Sequence, residues 1–459
     1  MADVKRYVVW PPKIKHVVPL GHLYDESGNS YPRDGGRSTE LPGGNALIQF
    51  NDTFCHNAAG QFLGVSENNV ALCTNFDSPT RSRYLAPEES NNIDITERQI
   101  PVLVRRFSDE ADTKKERACI WTFGGIVWYL ITDGAAYGWN FFEKHSVKFG
   151  NVFSDRVEWV GIASISVDWR AGTPKVEAER ESLSGGRILF SVSIDFVNGP
   201  FKVLTADQGA EPRLGTFSSH TDGTYMYAYG HHGSDNNGNH DIVLGRVPID
   251  SAKARIHWRF WGGEGKGWCE DWKEAAPVLH NYQHGQIFPT KLFGEESPYR
   301  YGFVGCTHTG NSKVMFGRAR RAWGPFEIVE LMTAHPLGKT SDLGFTYCMY
   351  AHPWAFPQSK GDLMITWSEG GMTGGVVAVK VRFETGIGLM QPQDGMEPIQ
   401  QSVFDEDDQN EPQSRQEVNR MNLKEKTGDQ SASRGDGGKM NTFGKAAGAL
   451  FRRLGKENK

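Results

Sequence analysis

The sequence predicts an all-β protein, a five-bladed β-propeller followed by a disordered C-terminal tail. Glycine accounts for 53 of the 459 residues and aromatic residues for 12%, a combination typical of many short strands joined by tight turns. Similar strand pairs recur through residues 1–390, and the composition changes sharply after them. These observations predict one propeller domain, 1–390, and a tail, 391–459.

Five segments pair an aromatic-rich strand with a second strand of small and β-branched residues. They are 47–52 with 69–74, 126–134 with 161–167, 224–230 with 242–247, 299–306 with 313–319, and 363–370 with 376–381. Units of roughly 60–80 residues, each long enough for four strands, are typical of propeller blades rather than of solenoid repeats. Because blades pack face to face, large rings are expected to fill the spaces between sheets. The candidates are Trp121, Trp128, Trp258, Trp261 and Trp367.

Charge and composition exclude some classes of protein. The chain has 50 Lys and Arg against 55 Asp and Glu, a formal net charge of -5, unlike the strongly basic surface of a dedicated nucleic-acid binder. The first residues lack the apolar core of a signal peptide, so a cytoplasmic location is expected, with unconventional secretion left open. Six cysteines without CxxC spacing are expected to be free, buried thiols.

The tail is poor in apolar residues and contains no Trp, Tyr or Cys. So little apolar surface cannot offset the entropy lost on ordering, which predicts disorder. Its last part, residues 439–459, carries six Lys or Arg and one Glu among apolar residues at helical spacing. This pattern is typical of a short amphipathic basic helix that contacts a membrane surface or a protein groove. A frayed tail is the alternative.

Two aspartates frame the first repeated unit and are the main candidates for chemistry. Asp34 lies among glycines, and Asp52 ends the apolar strand 47–52. An acid at the end of an apolar strand loses hydration unless it is paired or used. A turn-capping role for each aspartate is the alternative, because Asp is common in turns.

Nearby side chains suggest how the two carboxylates could be tuned. Arg33 or Arg37 could hold one carboxylate ionised while the other stays free, and the hydroxyl of Thr53 could hydrogen-bond Asp52. These arginines are therefore candidate substrate-binding residues. Three histidines are further candidates for contact with a ligand at the channel rim, with a structural role as the alternative: His220, His284 and His352. A third acid is expected from among Asp222, Asp235, Asp241, Glu270 and Glu369.

The polar segment 231–241 contains residue types that can bind a metal ion. Asp235, Asn237 and Asn239 have the alternate spacing of a calcium loop, but His240 and Arg246 occupy the positions where such a loop needs Gly and a bidentate Glu. Zinc bound by histidines alone would lack cysteine ligands here. The expectation is a polar hairpin loop and no cofactor, with calcium as the open alternative.

The order Asp34-Gly35-Gly36, apolar strand, Asn51-Asp52-Thr53-Phe54 resembles the first blade of the domain-of-unknown-function 4185 family (DUF4185). Asn51 stands where that family usually has Gly. Further similar segments extend the resemblance over about residues 18–385: 227–229 ahead of 244–248, then 258–263, 352–353 and 361–368. That family looks like five-bladed propellers related to furanosidase glycoside hydrolases, and some bacterial members act as endo-D-arabinanases.

The resemblance implies that Asp34 and Asp52 act as acid/base or nucleophile. Glycoside hydrolysis uses one carboxylic acid to protonate the leaving oxygen and one carboxylate to attack or to activate water. The first functional hypothesis is therefore a glycoside hydrolase that cleaves a furanose-containing or related glycan.

Two other functional classes remain open. One is a non-catalytic carbohydrate-binding or scaffold propeller, which the missing signal peptide favours because polymer-degrading enzymes are normally exported. The other is an enzyme that acts on a small intracellular molecule, since one fold hosts many chemistries. In every case the expected ligand is a carbohydrate or a small molecule.

Overall fold

A computed structural model describes residues 6–29, 31–85, 98–148, 156–172, 174–180, 189–196, 203–204, 211–232, 241–307, 311–336, 345–370 and 374–387. Almost all regular structure in these ranges is β-strand. Three short 3-10 helices lie at Ile249–Ser251, Arg255–His257 and Trp272–Glu274. The tail predicted to be disordered and its basic end, 439–459, lie outside the described residues.

Five sheets follow one another along the chain, and they confirm the predicted five-bladed propeller. β1 (Arg6–Val8) and β2 (Ile14–His22) precede blade 1, which contains β3 (Tyr24–Asp25), β4 (Arg33–Leu41), β5 (Asn45–His56), β6 (Phe62–Ser66), β7 (Asn69–Cys73) and β8 (Arg81–Leu85). Blade 2 contains β9 (Glu116–Trp121), β10 (Val127–Ile131), β11 (Ala135–Lys148), β12 (Arg156–Asp168), β13 (Lys175–Arg180), β14 (Phe190–Phe196) and β15 (Val203–Leu204).

The remaining three blades are smaller. Blade 3 contains β16 (Ser218–Thr221), β17 (Tyr225–His232), β18 (Asp241–Pro248), β19 (Arg259–Trp261) and β20 (Trp268–Cys269). Blade 4 contains β21 (His284–Pro289), β22 (Tyr301–Cys306), β23 (Lys313–Ala319) and β24 (Glu327–Thr333). Blade 5 contains β25 (Thr346–His352), β26 (Asp362–Glu369) and β27 (Val376–Phe383), and β28 (Thr385–Ile387) pairs with β1.

The ring is closed by a strand from the other end of the chain. β2 pairs antiparallel with β27, from Ile14 opposite Phe383 to His22 opposite Val377, and so becomes the outer strand of blade 5. Radial closure of this kind leaves few exposed sheet edges.

The innermost strands of the blades are β4, β10, β16, β21 and β25, and neighbours among them contact each other around the central channel. Neighbouring innermost strands run the same way along the channel, as β4 and β25 show: Asp34 meets Tyr347 near their starts, and Ser38 meets His352 farther along both. We call the end at which they begin the mouth. Side chains at the starts of these five strands therefore meet at the mouth, even when they are hundreds of residues apart.

Five clusters of buried apolar side chains lie between the five pairs of neighbouring blades. Trp258, Trp261 and Trp367 are buried in three of these clusters, as predicted. Trp128 is only partly buried, at the edge of the cluster between blades 1 and 2. Trp121 differs from the expectation, because it lies at the mouth beside polar groups.

The repeated strand pairs fall in five different blades, with one difference. In blades 1, 3, 4 and 5 the paired segments form adjacent strands, but in blade 2 the long strand β11 lies between the two predicted segments. All six cysteines are free, and all except the partly exposed Cys269 are buried. None of the helices in the described ranges is long and apolar enough to cross a membrane.

Candidate functional site

A double-glycine bulge near the start of β4 positions Asp34. The register of β4 against β5 shifts on both sides of Gly35, and Gly35 and Gly36 have φ angles of +88° and +89°. Residues with a side chain rarely adopt these angles, and a Cβ atom at Gly36 would lie only 2.8 Å from the side chain of Val376. The glycines let β4 bend, so that Asp34 and Arg37 enter different surroundings.

Asp34 lies where blade 1 meets blade 5. Its Oδ2 accepts a hydrogen bond of 2.9 Å from the hydroxyl of Tyr347, 313 positions away in the sequence. Next to Tyr347, Cys348 has a φ of +53°, and β25 shifts its register against β26 between Tyr347 and Tyr350. A left-handed backbone at a residue other than glycine is strained and is often found at functional sites. Both strands therefore depart from regular geometry where they meet at Asp34.

Asp52 lies on β5, where blade 1 meets blade 2. Its Oδ1 accepts a hydrogen bond of 3.1 Å from the indole Nε1 of Trp121, and its Oδ2 lies 3.5 Å from Nη2 of Arg117. The side chain of Asp52 is 15% exposed, so its carboxylate remains accessible while two groups from β9 hold it. The hydroxyl of Thr53, a suggested partner of Asp52, instead donates to the backbone carbonyl of Asn51 at 3.2 Å.

Asp34 and Asp52 lie across from each other on β4 and β5, close enough for their carboxyl groups to interact electrostatically. Burial raises the pKa of Asp34 from 3.8 to about 7, and the negative charge of Asp52 acts in the same direction. Hydrogen bonds from Tyr347 and from the backbone of Asp52 oppose this shift. Two carboxylates that share a site resist ionising together. Near neutral pH a substantial fraction of Asp34 therefore remains protonated.

Four partly buried aromatic rings form an arc across the mouth. Trp121 and Phe123 come from blade 2, His284 from blade 4 and Tyr347 from blade 5. Successive ring centroids along this arc are 5.9, 6.4 and 6.0 Å apart. His284 is thus the one predicted histidine that lies next to a partner of Asp34. Rings with an apolar body and a polar edge suit a ligand that has both apolar faces and hydroxyl groups.

A buried ionic group supports the arc from below. Oε2 of Glu143 on β11 lies 2.8 Å from Nε2 of His145, and its Oε1 lies 3.3 Å from Nη1 of Arg213. Burial acts to raise the pKa of Glu143, but Arg213 and His145 outweigh it and lower the pKa to about 2. The imidazole of His145 packs 4.2 Å, centroid to centroid, from Trp121. Glu143 therefore stays ionised and orients His145 beneath the indole that donates to Asp52.

The cation beside the pair is Arg117, whereas the sequence suggested Arg33 or Arg37. Arg33 is buried inside blade 1, where its guanidinium packs 4.0 Å from the ring centroid of Phe50 and donates to the hydroxyl of Tyr84. This environment gives Arg33 a packing role, on the opposite side of the bulge from Asp34.

Arg37 fills the channel below the mouth. Its Nη2 donates to the backbone carbonyls of Phe217 at 2.7 Å and Gly285 at 2.8 Å, and its guanidinium packs 4.2 Å from the ring centroid of Tyr350. Only 3% of Arg37 is exposed. These contacts tie blade 1 to blades 3, 4 and 5, so the side chain serves the architecture of the ring.

Two of the predicted histidines lie away from the mouth. In the fully buried His352, Nδ1 lies 2.5 Å from the hydroxyl of Ser38 and Nε2 lies 2.8 Å from that of Thr366. His220 lies between blades 3 and 4, with its ring stacked on Tyr227. Burial lowers the pKa of His352 to about 3 and that of His220 to about 4. Both are neutral residues of the interior.

The acids considered as a third carboxylate lie apart from one another. Asp222 follows β16, at the end of the channel opposite the mouth. Asp241 and Glu270 have exposed side chains on blade 3. Glu369 is buried in blade 5 and lies 2.8 Å from the imidazole of His22.

Asp235 and most of the segment considered for calcium or zinc lie outside the described residues, which begin again at Asp241. In the part of the chain that the structure describes, no group of three or more His, Cys, Asp or Glu side chains is placed to hold a metal ion.

Sequence reasoning missed Arg117, Glu143 and Tyr347, and also Glu67, a buried acid that interacts electrostatically with Asp52. One of them carried a signal, because Glu143 directly follows Phe141 and Phe142, and the rule that singled out Asp52 applies equally to it. Arg117 and Tyr347 reach the pair from other blades, and nothing in their local sequence marks them.

No family model matches this chain, and no curated protein matches it. Among solved structures, the chain is similar to a Bacteroides ovatus protein provisionally named a hydrolase, with 15% identity and a TM-score of 0.48, over 77% of this chain and 87% of that one. It is also similar to the GH43_1 enzyme from Xanthomonas citri complexed with xylose, with 11% identity and a TM-score of 0.38, over 83% and 96% of the two chains.

A third similar structure is an exo-β-1,3-galactanase from Phanerochaete chrysosporium with galactose. The identity is 8% and the TM-score 0.37, over 79% of this chain and 63% of that one. Likenesses this remote define neither a family nor an activity. A functional assignment therefore depends on the geometry of the mouth.

Proposed function

We propose that this protein is a glycoside hydrolase that cleaves a furanose-containing or related glycan at the mouth of the channel. The observation that carries the proposal is the placement of Asp34 and Asp52 across one strand pair, where burial and the charge of Asp52 raise the pKa of Asp34 to about 7. Cleavage of a glycosidic bond requires one protonated and one ionised carboxyl group in the same site.

The surroundings of the two aspartates assign their roles. Asp34, close to a like charge and hydrogen-bonded by Tyr347, is the general acid that gives its proton to the leaving glycosidic oxygen. Asp52, held by the guanidinium of Arg117 and the indole of Trp121, is the carboxylate that attacks the anomeric carbon or activates water. Two carboxyl groups whose environments differ in this way divide acid and base roles between them.

The nature of the ligand is inferred from the lining of the mouth. The aromatic arc of Trp121, Phe123, His284 and Tyr347 begins and ends beside the two carboxyl groups. It offers apolar faces for the ring of a sugar and polar edges for its hydroxyls. The resemblance of the residues around Asp34 and Asp52 to the DUF4185 family supports a furanose-containing glycan as the substrate class.

The test is a digestion screen of purified full-length protein on arabinans, arabinogalactans and related furanose polymers. Asp34→Asn and Asp52→Asn should each lower the rate on any cleaved glycan by ~10²–10⁴-fold, the usual contribution of a positioned acid or base. Asp222→Asn is the matched control, because it makes the same chemical change at the opposite end of the channel. It should keep the wild-type rate.

Other outcomes separate the alternatives. Full activity in both Asn variants would exclude this pair as the catalytic groups. A wild-type protein that binds oligosaccharides without cleaving them, and loses binding on Phe123→Ala, would instead be a carbohydrate-binding propeller.

A further inference from the structure

Asp52 is the outer end of a chain of alternating charges. Arg117 contacts Asp52 at 3.5 Å and interacts electrostatically with Glu67, with which it forms no ion pair. Glu67 lies between β6 and β7, only 6% exposed, and its Oε1 lies 3.2 Å from Nε of Arg106. Arg106 in turn donates to Asp112 at 2.6 Å. This series of charged side chains extends from the mouth into the space between blades 1 and 2.

Hydrogen bonds to backbone carbonyls attach the segments that carry Glu67 and Arg106 to β9. Asn68, next to Glu67, donates to the backbone carbonyl of Ile120 at 3.0 Å. Arg106 donates to the carbonyl of Ala118 at 3.0 Å, one residue beyond Arg117. Glu67 and Arg106 are therefore held against the same strand that carries Arg117, so the chain is a rigid support and not a set of mobile surface pairs.

We propose that Arg117 and Glu67 are positioning residues for Asp52. Arg117 orients the carboxyl group of Asp52, and the charge of Glu67 attracts the guanidinium of Arg117 from a second direction. A single arginine that faces one partly exposed carboxylate has freedom to turn away, and a second nearby carboxylate reduces that freedom. Groups of this kind outside the reacting pair commonly change activity by ~10–100-fold when removed. The inference rests on the proposed hydrolytic function, since it gives Asp52 a catalytic role.

The charge state of Glu67 is linked to that of the catalytic pair. Burial raises the pKa of Glu67 to about 7, although Arg106 and Arg117 oppose the shift. Above this pH, Arg117 divides its attraction between two carboxylates, and below it Arg117 serves Asp52 alone. Titratable and charged groups reach Asp52 from several elements: Asp34 from β4, Glu67 from the β6–β7 turn, Arg117 and Cys119 from β9, His145 from β11 and Tyr347 from β25.

The test follows the carboxyl group itself and needs no substrate. Full-length protein labelled with ¹³C at the aspartate carboxyls reports the titration of Asp52, whose signal is identified by its loss in Asp52→Asn. Arg117→Met should raise the midpoint of Asp52, because it removes the positive charge that lies 3.5 Å from Oδ2. Arg117→Lys keeps the charge without the planar fork and should recover part of the shift.

Two further variants complete the design. If Arg117→Met fails to fold because Glu67 is left buried with one cation fewer, the double variant Arg117→Met/Glu67→Gln removes both charges and should show the same raised midpoint. Glu110→Gln is the control, because it breaks another buried pair between blade 2 and the preceding loop, Arg180–Glu110 at 2.7 Å. It should leave the midpoint of Asp52 unchanged.

The results decide between positioning and mere packing. An Asp52 midpoint that stays at its wild-type value in the Arg117 variants, or that moves equally in Glu110→Gln, overturns the inference. Where a glycan is cleaved, Arg117→Met should lower kcat ~10–100-fold with little change in KM. A wild-type protein that cleaves no glycan would end the hydrolytic proposal, while the titration would still report whether Arg117 and Glu67 control Asp52.

Discussion

The interior of the channel and its mouth both bury polar side chains, but the interior pairs them with hydrogen-bond partners, whereas the mouth places two acids next to each other. In the interior, His352 is neutral and lies between two hydroxyls, and Arg37 donates to two backbone carbonyls. At the mouth, Asp34 and Asp52 bring like charges together. The interior pattern stabilises the ring, whereas the pattern at the mouth costs stability at neutral pH. A costly arrangement that the fold nevertheless retains is the usual mark of a functional site.

The largest expected effect is a loss of stability when Arg37 in the interior of the channel is replaced. Arg37→Met should lower the free energy of unfolding by about 3–5 kcal/mol, because two buried carbonyls lose their donor and the channel gains a cavity. Chemical denaturation at pH 7 measures the loss. Arg37→Lys is the control and should lose less, since it keeps a donor in the channel. A stable Arg37→Met protein that no longer binds glycan would show instead that Arg37 serves the ligand.

A smaller effect of opposite sign is expected at the mouth. The pKa of Asp34 is about 7 in the folded protein and near 3.8 when unfolded, so the folded state keeps a proton that the unfolded chain releases. The contribution of Asp34 to the stability of the folded protein should therefore fall as the pH rises from about 4 to 7. Asp34→Asn removes this loss, and three pKa units correspond to at most about 4 kcal/mol.

The measurement compares Asp34→Asn with wild type by denaturation at pH 5 and pH 8. The stabilising effect of the substitution should be larger at pH 8, and Asp222→Asn, outside the mouth, should show no such difference. An equal effect at both pH values would contradict the raised pKa of Asp34 and, with it, the contrast between mouth and interior.

The smallest effect sharpens the description of the mouth. Tyr347→Phe removes the hydrogen bond that favours the ionised form of Asp34, so the pKa of Asp34 should rise by up to about one unit. The carboxyl ¹³C signal of Asp34 in labelled protein reports the change. Tyr129→Phe, an aromatic change at the other end of blade 2, should leave that signal unchanged. A fall in the pKa of Asp34 would mean that Tyr347 does not act as its donor.

The fold was predictable from the sequence because each blade carries its own local pattern. The aromatic strand 224–230 and its partner 242–247 are adjacent in the sequence and in blade 3. In blade 2 the prediction of adjacent strands was wrong, since β11 lies between the two segments 126–134 and 161–167. Ring closure by β2 was not predicted, because its partner β27 lies more than 350 residues away and long-range pairing leaves no periodic signal.

In the candidate site, too, local neighbours were predictable from the sequence and partners from other blades were not. Asp34 and Asp52 belong to one hairpin, so their proximity could be expected from the sequence alone. Arg117 and Tyr347 meet them only after blades 2 and 5 have packed against blade 1. Arg33 was predicted as a partner because it is next to Asp34 in the sequence, but sequence proximity does not reveal on which side of a bulge a side chain lies. Local pattern predicts elements, while partners across blades require the assembled ring.

The pairing of β2 with β27, which closes the ring, also affects when the mouth can form during translation. The hydroxyl that contacts Asp34 belongs to the last blade to leave the ribosome, and that blade is complete only when β27 is made and captures β2. A nascent or prematurely terminated chain that stops before residue 345 has both aspartates but lacks Tyr347 and the final sheet. The mouth is therefore assembled last, after synthesis has passed the end of the ring.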